Sequence, residues 1–241
     1  MNTHKLANWQ PALLPAASTL TGQYVRLERL DPARHVDDLW AAMQGPDADP
    51  LMWTYMGYGP FAQRGDFADW LSRLSDGADP LFYTVMDNAS GIALGLLSYL
   101  NLAPAHGSIE IGHVCFGHAM QRSVQATETI YLLARYAFEL GNRRLEWKCD
   151  NANLRSRRAA ERFGFTHEGV FRQHLIRKGR NRDTAWFSLL DHEWPVMQDA
   201  FERWLAPANF AEQSQQRQRL QDLREPAGVG NRMRAEQLKR P

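Results

Sequence analysis

The segment Ser108–Leu140 constrains the fold more than any other part of the chain. Ser108–Phe116 alternates as a strand does. Its period of two places Ile109, Ile111 and Cys115 on one face and Glu110, Gly112 and Val114 on the other. A loop, Gly117–Arg122, follows. From Gln125 to Leu140 the residues Ile130, Leu133, Ala134, Ala137 and Phe138 recur at helical spacing, and Gly141 stops the run. Strand, loop and amphipathic helix in that order aim unpaired N–H groups and a positive dipole end at the loop. Such an end suits a phosphate or pyrophosphate, although an ordinary connection uses the same pattern. A carboxylate, Glu110, inside so apolar a strand is the second unusual feature.

Around this unit the chain switches repeatedly between the two periods. Tyr24–Glu28 predicts a strand, and Asp31-Pro32 opens a helix running through Met43. Residues 62–75 predict another helix. Leu81–Asp87 and Ile92–Leu100 predict strands joined at Asn88-Ala-Ser-Gly91. Leu145–Asp150 reads as a strand, and Asn153 caps a helix that Gly164 stops. Thr166–Arg177 and Asp183–Asp191 read as strands flanking a polar turn, and Glu193–Leu205 as a helix. Strands and helices mix without strict βαβ alternation. The expected class is therefore α/β of the α+β kind, a mixed, mainly antiparallel sheet with helices on both faces. Residues 1–20 read as a lead-in and 21–206 as one domain. Residues 207–241, with seven basic and four acidic residues, read as a polar tail, partly helical or disordered.

Composition removes several classes of function. Of 241 residues, 44% are apolar and 23% charged, which excludes a disordered chain. A net charge of +1 argues against a dedicated nucleic-acid binder. No run approaches the ~18–20 apolar residues of a membrane span, and the first twenty residues lack the compact apolar core of a signal peptide. Both cysteines sit in apolar runs and read as reduced and buried, so a cytoplasmic location is expected. His113 and His118 show no ligand spacing, and no metal is expected.

The run Glu110-Ile-Gly-His-Val-Cys-Phe through Gln121-Arg-Ser-Val-Gln-Ala-Thr-Glu128 resembles motif A of the GNAT N-acetyltransferases. The segments Asn153-Leu-Arg-Ser156, Glu161-Arg-Phe-Gly-Phe165 and Glu168-Gly-Val-Phe-Arg172 resemble the next block of the branch containing RimJ and RimL. Lys178–Trp186 and Trp53–Phe61 are also similar to that branch, so the resemblance spans about 20–200. It implies a twisted sheet whose central strands splay around acetyl-CoA. It further implies a pyrophosphate cradle of Gln121, Arg122, Ser123, Val124, Gln125, Ala126 and Thr127, with Asn153 beside the pantetheine arm. Val124 stands where the family has Gly, and backbone donors survive that change if the side chain turns away. Backbone N–H groups at Val114, Cys115 and Phe116 would stabilise the oxyanion.

The resemblance also assigns chemistry. Glu110 lies eleven residues before Gln121, a spacing similar to that of the general base in several GNAT enzymes. Ser156 matches the serine that RimL-like enzymes use to protonate the thiolate. The usual tyrosine acid would fall at Ala160 and a second glutamate at Leu175, so His174 beside it stands as a reserve base. Trp53, Tyr55, Tyr58 and Phe61 either pack as a satellite core or wall an acceptor pocket. Glu110 and Ser156 have structural alternatives, an ion pair and a helix first-turn residue. The turn Arg177–Arg182 reads as an exposed hairpin or as a grip on an acidic acceptor or the CoA 3′-phosphate. The expected activity is acetyl-CoA-dependent acetylation of a primary amine on a small molecule, amino acid, peptide or protein N-terminus. The expected protein is a monomer or homodimer, with no nucleic-acid or membrane partner. The alternative is a non-catalytic acyl-CoA-binding or partner-binding module.

Overall fold

Alternation and helical spacing yield eight strands and six helices in the computed structural model, which describes residues 8–211 and 215–224. The strands are β1 (Thr19–Thr21), β2 (Val25–Arg29), β3 (Leu81–Asp87), β4 (Ala93–Ala103), β5 (Ser108–Phe116), β6 (Arg144–Asp150), β7 (Thr166–Arg177) and β8 (Arg180–Leu190). The helices are α1 (Pro32–Gln44), α2 (Arg64–Ser75), α3 (Val124–Glu139), α4 (Leu154–Arg162), α5 (Trp194–Leu205) and α6 (Leu220–Leu223). Local chemistry sets the helix starts: Asp31 accepts from Ala33 N–H ahead of Pro32, and Ser123 and Asn153 cap α3 and α4.

One sheet orders the strands β1-β2-β3-β4-β5-β6-β8-β7, and every pairing except β5–β6 is antiparallel. The larger core lies under α3, α5 and α6; the second lies under α1 and α2. The expected helices on both faces are present. β5 and β6 pair only from Ser108–Arg144 to Ile111–Trp147 and then part, so the central strands splay. The chain enters the sheet earlier than expected, because Thr19 and Leu20 already pair with β2. It also leaves the core later. Leu220 and Leu223 are buried in the larger core, and Phe210 bridges to Gln216, so packing continues past the expected boundary at 206. The remainder of the expected tail, 212–214 and 225–241, lies outside the described residues, as do residues 1–7 of the lead-in.

Of the bulges that break the period of two, three turn a side chain toward the splayed strands. Asn101 and Leu102 oppose Ile109; His113 and Val114 oppose Leu97; Arg172, Gln173 and His174 oppose Asp183. Asn101, His113 and Gln173 carry positive φ of 50°, 52° and 51°. The second bulge corrects the expected faces of β5. Ile109 and Ile111 pack in the larger core, but the extra residue inverts the alternation and buries Cys115 in the second core.

Candidate active site

The charged residues of β6 come first in sequence logic. Arg144-Leu-Glu-Trp-Lys-Cys-Asp150 alternates, with Leu145, Trp147 and Cys149 buried in the larger core and Glu146, Lys148 and Asp150 on the opposite face. The parallel register sets Glu110 beside Glu146. Lys148 Nζ lies between them, 2.9 Å from Glu110 and 2.8 Å from Glu146, and 3.8 Å above the Trp186 ring. Asn101, turned by its bulge, donates to Glu110 Oε2 at 2.6 Å. Glu110 is buried and lines a cleft that opens where β5 and β6 part. Burial raises its pKa, while the Lys148 charge and the Lys148 and Asn101 hydrogen bonds oppose the rise.

At the other side of the same cleft stands the N-terminus of α3. Ser123 N–H reaches Met120 O, and Ser123 Oγ accepts from Ala126 N–H. Val124 and Gln125 N–H make no bond within the chain among the described residues, as the first turn of a helix requires. Val124 is half-buried against the larger core, so its side chain leaves the backbone of the turn approachable. Gln121 to Thr127 all line the cleft, together with Val114, Phe116, Asn153 and Ser156. Ser156 Oγ accepts from Trp147 Nε1 at 2.9 Å, and its own hydroxyl proton, which reaches the weak Cys149 sulfur acceptor, remains available to donate elsewhere.

The loop between α1 and α2 crosses the mouth of this cleft. Asp49 binds Arg155 at 2.6 Å, which holds its carboxyl below the usual range, and Tyr55 Oη donates to Ala152 O at 3.1 Å. Lys178, in the β7–β8 turn, donates to Trp53 O and Gly59 O and pins the loop from the opposite side. Tyr58 Oη lies 2.8 Å from His113 Nδ1. Burial, with Arg177 adding, lowers the His113 pKa to about 4, so its imidazole is neutral at pH 7.

Each strand, loop and helix end now has its place. The acetyltransferase (GNAT) domain family matches residues 25–166, more than half of the chain. This chain belongs to the GNAT family. A GCN5-related N-acetyltransferase from Brucella melitensis is 48% identical, covering 91% of this chain and 99% of its own, with a TM-score of 0.89. A GNAT-family protein from Chromobacterium violaceum ATCC 12472 is 43% identical over 81% of this chain and 97% of its own, with a TM-score of 0.75. The uncharacterized N-acetyltransferase p20 of Bacillus licheniformis is 26% identical over 151 residues, 61% of this chain and 84% of that protein.

Within this GNAT domain the cleft gathers Glu110, Ser156, the Gln121–Thr127 turn, Asn153, Tyr55, Tyr58 and His174. It does not gather all the expected residues. Trp53 is 1% exposed and Phe61 packs edge-on against it at 5.5 Å, both inside the second core with Phe67 and Trp70. They support the loop rather than wall a pocket. Trp53→Leu should therefore cost about 2 kcal/mol of stability. Thermal unfolding checks this, with no change expected in acceptor KM. Cys115 likewise offers no side chain to the cleft. His174 is exposed, bonds Thr184 Oγ1 at 2.9 Å and faces Phe171 and Trp186. Asn101 and Lys148, the partners of Glu110, were not singled out. The strict alternation of charge along β6 was the available signal for Lys148; the Asn101 bulge left none.

No helix among the described residues is long and apolar enough to cross a membrane, and they contain no cluster of His, Cys, Asp and Glu suited to a metal.

Proposed function

We propose that this protein transfers the acetyl group of acetyl-CoA to a primary amine by direct attack in a ternary complex. The observation that carries the reading is one cleft with two ends. A buried carboxylate, Glu110, lies where β5 and β6 part, and a helix N-terminus with open N–H groups lies across from it. That terminus fits a pyrophosphate, since its donors at Val124 and Gln125 have no partner among the described residues. Acetyl-CoA supplies an acyl group already activated as a thioester.

The chain's own residues do the rest. Val124 and Gln125 N–H groups, with the dipole of α3, hold the phosphates, and Asn153 flanks the arm. The bulge at His113–Val114 breaks the β4–β5 register, and the backbone N–H groups there would serve the acyl oxygen when acetyl-CoA is bound. Glu110 accepts the amine's proton, directly or through one water. Ser156 returns a proton to the thiolate. A route through an acyl-cysteine is disfavoured by the thiols themselves. Burial pushes Cys115 up to about 12 and raises Cys149, so neither supplies thiolate near neutral pH.

Calorimetry of acetyl-CoA with the wild type and Val124→Asp, followed by thiol release over a panel of amines, tests the reading. Asp at the first helical position favours the helix but repels an anion there. Affinity should fall about tenfold, as one added charge against a bound phosphate requires. Unchanged affinity places the pyrophosphate elsewhere. Binding without thiol release on any amine favours a non-catalytic module.

A further inference from the structure

The β7–β8 hairpin carries two cations at the cleft that have no ion-pair partner among the described residues. Arg182, Thr184 and Trp186 occupy one face of β8, opposite the buried Ala185 and Phe187, and all three line the cleft. Arg177, at the end of β7, lines it too and reaches the crossing loop beside Gly57. The two arginines repel each other, and burial with that repulsion lowers the Arg182 pKa.

Around Glu110 and the crossing loop the other charges are matched, whereas Arg122, Arg158 and Arg162 form no ion pair among the described residues at the α3–α4 end of the cleft, where the phosphates are expected. Glu110 and Glu146 share Lys148, Asp49 holds Arg155, and Lys178 is spent on two carbonyls. Asp183 accepts from Gln173 N–H and Asn181, and Asp150 accepts from Ala152 N–H. Asp150 and Glu110 attract Arg182 from a distance, yet neither Arg177 nor Arg182 forms an ion pair among the described residues. A second observation lies in the same wall. Arg182 Nε and Trp186 Nε1 are shielded from solvent and have no acceptor. Buried donors of this kind are costly to leave unmade, and a small shift of the Arg182 side chain toward a carboxylate in the cleft would supply its missing acceptor.

We infer that the acceptor amine carries a carboxylate, received by Arg177 and Arg182 while Glu110 faces the amine; this rests on the acetyltransferase reading above. A guanidinium fork matches a planar carboxylate in two parallel hydrogen bonds. The substrate class is an amino acid or a short peptide whose free carboxylate lies close to its amine.

Matched amines test this on the full-length protein: phenylalanine, phenylalaninamide, 2-phenylethylamine and 2-aminoethyl phosphate, read as thiol release from acetyl-CoA. The wild type should prefer the acid over the amide by about tenfold or more in kcat/KM, the worth of one charge-assisted pair. In Arg182→Gln that preference should collapse toward unity, chiefly through KM. An amide used as well as the acid, or a preference that survives Arg182→Gln, overturns the inference while leaving acetyl transfer standing. A preference for the aminoalkyl phosphate overturns the carboxylate assignment. If no amine is turned over, the acetyltransferase reading fails on its own, and equilibrium binding of phenylalanine still decides the carboxylate site. Binding lost in Arg182→Gln supports the site, and binding unchanged by it overturns the site.

Discussion

Glu110→Gln should lower kcat about 10²–10⁴-fold with whichever amine proves to be the substrate, while acetyl-CoA affinity stays the same. The amide keeps the size of the carboxylate and can still accept from Asn101 or Lys148, so the cleft should hold its shape. What it cannot do is take a proton. Steady-state rates and calorimetry on the same preparation separate the two effects. Retention of wild-type kcat would make Glu110 a structural partner of Lys148 and nothing more.

The pH profile carries a sharper version of the same expectation. Glu110 must be ionised to act, and burial has raised its pKa. The acid limb of kcat should therefore stand above the usual carboxylate range. Lys148 opposes the rise, since its ammonium favours the charged carboxylate. Lys148→Met removes that support and should move the acid limb to higher pH. A limb that stays in place in Lys148→Met assigns the titration to another group.

How far the site could be read from sequence depended on whether the backbone kept its period. Glu110 stood out because a carboxylate interrupts an apolar strand, and Ser156 and the Gln121–Thr127 turn because a cap and a loop announce a helix start. The faces of β5 failed after His113, where one extra residue inverts the pattern and sends Cys115 to the far side. A bulge leaves no mark in hydrophobic periodicity. Asn101 and His174 reach the cleft through such irregularities, and only the folded register shows it. Trp53 and Phe61 stayed open in the sequence for a different reason. Aromatic residues in a loop are equally suited to a pocket or a satellite core, and the choice depends on α2, whose Phe67 and Trp70 receive them.

The same blindness to context hid the most consequential structural carboxylate, and Glu128→Ala should cost about 3–5 kcal/mol. Helical spacing makes α3 an amphipathic surface helix, with Glu128 on a polar side. In the fold, Ala126 through Ala134 are all buried, because α5 and the β1–β2 turn cover what the sheet does not. Glu128 is 3% exposed and accepts from the N–H groups of Gln23, Tyr24 and Val25 at 2.7, 2.6 and 2.8 Å. One carboxylate thereby satisfies three successive amides at the β1–β2 turn, and Gly22 is forced by the contact, since a Cβ there would lie 2.5 Å from the carboxyl carbon. Alanine leaves three amides without an acceptor, each worth about 1–3 kcal/mol, with water compensating the outermost. For a domain near 200 residues this corresponds to a fall in Tm of roughly 8–15 °C. Glu128→Gln, which retains one carbonyl acceptor, should recover part of the loss. Differential scanning calorimetry of both variants decides it, and amide exchange should show Gln23–Val25 losing protection first. A Tm within 2–3 °C of wild type for Glu128→Ala, on the scale of a single surface hydrogen bond, would mean that solvent satisfies the turn without the carboxylate.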